Sequence, residues 1–180
     1  MIDNPLAMTT GRFTENKKPL PRLWYRLDES IAAECSVRVR RGDKVRLKVL
    51  VFDSKKAMAR FWREQLGIPI GPRCNGVVSS MRRYDSAGNC LVDPRFFAIM
   101  GLVKTRLSYQ IITHEATHAA SMYVDRTLRH KRRFSGNNEL VDEELAYPLG
   151  IIADSVFNWL NENNATITTD SRTYGKPAQV

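Results

Sequence analysis

Apolar residues in the first third of the chain change period twice. Leu23, Leu27 and Ile31 recur at helical intervals, which predicts a helix from Leu23 to about Cys35. The period then becomes two: Val37 and Val39 alternate with Arg38 and Arg40, and Val45, Leu47, Val49 and Val51 alternate on the far side of the turn Arg41-Gly42-Asp43-Lys44. This reads as a β-hairpin with one buried and one basic face. The helical period returns after Asp53-Ser54, a capping pair. Met58, Phe61, Trp62 and Leu66 fall on one face of a helix that Gly67 should stop.

Beyond the loop at 67–75, Val77-Val78 to Tyr84 reads as a strand, Asp85 to Asn89 as a turn, and Cys90-Leu91-Val92 as the returning strand ended by Pro94. The apolar run Phe96 to Val103 reads as another strand. Two placements suit it: a sheet edge beside a cleft, where a peptide adds as an extra strand, or a fully buried position. A helix follows from about Thr105 or Arg106 to Leu128. A second long helix, Glu139 to Leu160, turns Val141, Leu145, Leu149, Ile152, Val156 and Trp159 to the core, with a kink expected at Pro148. Polar, proline-punctuated residues 1–22 read as an arm and residues 161–180 as a flexible tail. Together these elements predict a single small α+β domain over residues 23–160, built on a mixed sheet.

The 180 residues are 43% hydrophobic and 26% charged, in the range of ordinary globular proteins. No apolar run reaches the ~20 residues of a membrane span, and Met1-Ile2-Asp3-Asn4-Pro5 opens no signal-peptide core, so a cytoplasmic location is expected. Cys35, Cys74 and Cys90 form no closely spaced pair and are expected as reduced thiols in or near the core.

A net charge of +9 raises polyanion binding. Lys and Arg cluster at Arg38, Arg40, Arg41, Lys44, Arg46 and Lys48 around the hairpin, and again at Arg126, Arg129, Lys131, Arg132 and Arg133. No nucleic-acid-binding motif accompanies them. The charge alone therefore supports non-specific nucleic-acid contact or a solvated basic face.

The sharpest chemistry lies in the first long helix, at His114-Glu115-Ala116-Thr117-His118. Residues four apart on a helix lie ~40° apart in angle and ~6 Å along the axis, so His114 and His118 can offer two imidazole nitrogens to one Zn²⁺. Glu115, ~100° away, is poorly placed as a ligand but within reach of a zinc-bound water as its general base. Asp125 shares the face yet lies ~16 Å farther along, too far to ligate. His130, among basic residues, is expected in an exposed loop.

A catalytic zinc needs a third protein ligand. The second helix offers Glu139, Asp142, Glu143 and Glu144. Glu143 shares its face with the small residues Ala146, Gly150 and Ala153, which would allow close approach to Ala119 and Ala120. Glu143 is therefore the expected ligand, with Glu144 and Glu139 as the other choices.

The pattern His114-Glu115-x-x-His118, with a helical glutamate twenty-five residues after His118, resembles the gluzincin metallopeptidases. Glu139-Leu140-Val141-Asp142-Glu143 is similar to a segment of the ArdC-like antirestriction metallopeptidase domains and of the ImmA/IrrE group. The resemblance covers about residues 96–160. It implies a small zincin domain of phage or mobile-element type, zinc held by His114, His118 and Glu143, and Glu115 as catalytic base. A peptidase acting on a cytoplasmic protein is the expected function. Tyr147, Tyr123 or an arginine would stabilise the oxyanion. The competing expectation is a basic nucleic-acid-binding or host-interaction protein on a zincin scaffold.

Overall fold

The computed structural model describes residues 29–84, 90–128 and 139–168, with side chains there except at 83, 84, 90–92, 128 and 139–143. The order is β1 (Ile31–Val37), β2 (Arg46–Phe52), α1 (Lys55–Leu66), β3 (Gly76–Ser80), β4 (Arg82–Tyr84), β5 (Cys90–Val92), β6 (Phe96–Val103), a 3₁₀ turn (Lys104–Arg106), α2 (Tyr109–Leu128) and α3 (Glu139–Glu162). Four strands form one sheet in the order β1-β2-β6-β3. The β2–β6 pair is parallel and the other two pairs are antiparallel, so the sheet is mixed and the class is α+β.

The sheet is covered on both faces, because alternate residues of its central strands are apolar in both directions. On one side Leu50, Phe52, Ile99 and Val103 meet Met58, Phe61 and Trp62 of α1. Ser54 caps α1 by accepting the Ala57 N–H, and Gly67 closes it at a left-handed φ of 71°. The buried Trp62 indole N–H donates to Ser79 Oγ at 2.8 Å. On the other side Leu47, Val49, Ala98, Met100 and Leu102 pack with Ile112, Ala116 and Ala120 of α2 and Ile152, Val156 and Trp159 of α3. Each of these side chains is nearly or fully out of solvent, which makes the two layers the main source of stability at ~25 cal/mol per Å² of apolar surface.

Several expectations change. The helix read over Leu23–Cys35 is, in its described part, strand β1: Cys35 and Val37 turn inward and pair with Val49 and Leu47, so cross-strand pairing overrides local periodicity. The hairpin has no basic face on its second strand. β2 is interior, so Lys48 is 9% exposed and reaches Glu34 at 2.6 Å, while Leu50 and Phe52 fill the layer under α1. The run Val77–Tyr84 is broken at buried Met81, whose N–H donates to Phe97 O, and β4 leaves to pair with β5 in a two-stranded sheet. The intervening turn, Asp85 to Asn89, lies outside the described residues.

β6 takes the interior of the two positions open to it, and β3 is the edge strand beside α2. α2 begins later than the sequence suggests, because Lys104–Arg106 forms its own turn and Ser108 Oγ accepts the Ile111 N–H. α3 continues through Pro148. Residues 161–168 are no tail. Ala165 and Ile167 pack on the core, and Thr168 donates to Leu107 O at 3.0 Å in a parallel bridge beside Ser108. The arm at 1–22 and residues 169–180 fall outside the described residues. Among the described residues no helix is long and apolar enough to cross a membrane.

Candidate functional site

α2 lies across the sheet with Ile111, Ile112, Ala116, Ala119, Ala120 and Tyr123 buried, which leaves His114 and His118 on its exposed flank. Their Nε2 atoms are 3.2 Å apart and the ring planes stand at 86°. Two nitrogens bound at 2.0–2.1 Å to one tetrahedral zinc lie about 3.3 Å apart, so this spacing fits the bite of a chelating pair.

Glu115, about 100° around α2 from His114, lies under the edge of the sheet beside Gly76 and is 5% exposed. It fits there because residue 76 is glycine: a Cβ at that position would come 2.7 Å from Glu115 Cγ and 2.9 Å from Oε1. Burial pushes the Glu115 carboxyl up to about 7, because the charged form loses hydration. No hydrogen bond or ion pair to Glu115 is present among the described residues, so its oxygens are left to accept a proton from a third party. Cys74 lies near enough to sense the Glu115 charge. It donates to Gly76 O at 2.7 Å, and its own ionisation is pushed up by burial and then by the Glu115 charge. The sequence pointed to His114, Glu115 and His118 but gave no sign of Gly76 or Cys74, because nothing local ties residues 74–76 to residue 115.

The third donor is a different matter. The Glu143 side chain lies outside the described residues, as do those of Glu139 and Asp142. Of the small-residue stripe only Ala153 packs on the core shared with α2; Ala146 and Gly150 are exposed, and a Cβ added to Gly150 would meet nothing within 4 Å. Contact also runs through Ile152, Val156 and Trp159, and through Phe157, whose ring lies 4.7 Å from that of Tyr109. Tyr109 is about 140° around α2 from His114 and about 180° from His118. Glu144 is half-buried with Oε2 shielded from solvent. Among the described residues no three His, Cys, Asp or Glu side chains converge on a point that could hold a metal.

Of the expected oxyanion donors, Tyr123 and one arginine, Arg126, are bonded elsewhere. The buried Tyr123 hydroxyl donates to Asp43 Oδ2 at 2.9 Å, and burial and that bond raise its ionisation far above the usual phenol. Tyr147 lies beneath Arg40, with the guanidinium carbon 5.7 Å from the ring centre. Arg126 donates to the carbonyls of Phe96 and Asp93, tying the end of α2 to the start of β6. Arg129, His130, Lys131, Arg132 and Arg133 lie outside the described residues. Cys35 is buried in the core as expected, and the Cys90 side chain is outside the described set. Comparison with protein-family models, with curated proteins and with solved structures gives no match to the chain.

Proposed function

We propose that the protein is a zinc-dependent peptidase of zincin type, in which His114 and His118 hold the metal and Glu115 is the catalytic base. The observation that carries this reading is the pairing of a 3.2 Å imidazole bite with a buried, proton-accepting carboxylate one residue away. A bound zinc supplies Lewis acidity, polarising the scissile carbonyl and acidifying water. Glu115, held near neutrality by burial, takes the proton of the attacking water and returns it to the departing amine. The edge strand β3 runs past this carboxylate and its outer edge pairs with no further strand among the described residues, which suits an extended peptide better than a small substrate.

Glu143 is the third donor this reading names. Comparing Glu143→Gln with Glu144→Gln in a chelator-competition titration separates the two, since an amide is a far poorer ligand than a carboxylate.

The test of the activity is Glu115→Gln. The variant should retain zinc and lose cleavage of a co-expressed protein substrate by at least about 100-fold, the scale of a lost general base. Cleavage at the wild-type rate would remove Glu115 from the mechanism.

A further inference from the structure

The strongest concentration of unneutralised charge in the described structure sits away from the histidines, where β2 and β6 begin. Val37 pairs with Leu47, and Arg46 with Phe96, so the connection 38–45 closes over that end of the sheet. The connection carries Arg38, Arg40, Arg41 and Lys44, and Arg46 follows it as the first residue of β2. Arg40, Arg41 and Lys44 are exposed, and Arg38 and Arg46 half-exposed. Among the described residues none of the five has a carboxylate within ion-pair distance. The single acid of the connection, Asp43, is turned inward: its Oδ2 accepts the Arg40 N–H at 2.8 Å and the Tyr123 hydroxyl at 2.9 Å. The first bond closes the loop on itself and the second pins it to α2, so the cations are presented by a fixed scaffold. Beside them stands Tyr147, 53% exposed, with Arg40 against its ring.

We propose that this hairpin end binds a nucleic-acid strand, with phosphates on the five cations and a base on the open side of Tyr147. Four of the five cations are arginines, whose planar forks match phosphate oxygens two at a time. An exposed ring interleaved with arginine is the surface that single strands use, since every base has a face to stack. Tyr123 joins this surface to α2 about nine residues from His114 and half a turn around the helix, so the strand would lie clear of the histidines. The surface is independent of the peptidase reading and survives its failure.

The test uses the whole protein and a fluorescent oligothymidylate of about 20 nucleotides, with affinity followed against salt. Arg38→Gln, Arg41→Gln and Lys44→Gln together should weaken binding about tenfold or more at low salt and flatten the log–log salt slope by about 2, the loss of three single-strand phosphate contacts. A control triple, Lys55→Gln, Lys56→Gln and Lys104→Gln, removes equal charge at the other end of the sheet and should change affinity less than about twofold. Tyr147→Leu should weaken binding about fivefold with the slope unchanged, the scale of one lost stacking contact. Equal losses from the two triples, absence of binding by the wild type, or polyglutamate bound as tightly as oligothymidylate would each overturn the proposal.

Discussion

Gly76 and Glu115 occupy space that only the glycine permits, since a Cβ on residue 76 would stand 2.7 Å from Cγ of the glutamate and 3.0 Å from its carboxyl carbon. The edge strand thus sets where the carboxylate lies.

Gly76→Ala should therefore act on the site before it acts on the metal. Overpacking of this kind destabilises by about 1–3 kcal/mol, or is relieved by swinging Glu115 out of its niche. Either way hydrolysis should fall at least about tenfold with zinc content unchanged, read from a cleavage assay beside metal analysis. Wild-type turnover in this variant would show that Glu115 does not work from the niche.

Burial of Glu115 also ties stability to pH in the metal-free protein. A carboxyl raised from 4.5 to about 7 holds its proton when folded and releases it when unfolded at intermediate pH. Well below 4.5 both states are protonated and nothing is lost; as pH rises from about 4.5 to about 7 the folded state is progressively destabilised, by about 3 kcal/mol once pH is above 7. Urea unfolding of the metal-free wild type at pH 5 and pH 8, set against Glu115→Gln, should show the wild type losing ground to the variant at the higher pH. Parallel pH profiles would contradict a buried, uncompensated carboxylate.

The two described cysteines report their own surroundings. Burial pushes the Cys35 thiol up to about 12, against a smaller lowering by Lys48, so it should resist alkylation at pH 8 until the protein is unfolded. Cys74 is half-buried and should react slowly. Glu115→Gln removes the charge that raises it, so alkylation of Cys74 should quicken in that variant, as peptide mapping would show. No change in rate would mean that the two side chains do not sense each other.

How much of this was legible in sequence follows from the range of the forces involved. α1 was read to within a residue at both ends because Ser54, Gly67 and the Met58–Phe61–Trp62 stripe are local signals. The two long helices were found in the same way, and the phase of α2 put His114 and His118 on one flank. Strand β1 was missed because Leu23, Leu27 and Ile31 mimic a helix, while the pairing that makes Ile31–Val37 a strand comes from β2. The edge position went to β3 rather than β6 through a parallel β2–β6 pairing that no local pattern encodes. The choice of Glu143 rested on a stripe of small residues of which Ala153 packs on the core while Ala146 and Gly150 stay exposed: smallness permits a close approach but does not require one. Thr168 was read as tail because its partner, Leu107, is sixty-one residues away.

The central claim is that His114 and His118 hold a zinc ion, and metal analysis of purified protein tests it most directly. After expression with zinc and exhaustive gel filtration, the wild type should carry one zinc per chain, and the double variant His114→Ala, His118→Ala should carry none and unfold at lower temperature, since the bound ion contributes to folding. A wild type that elutes without zinc, or a double variant that keeps a full equivalent, would contradict the account.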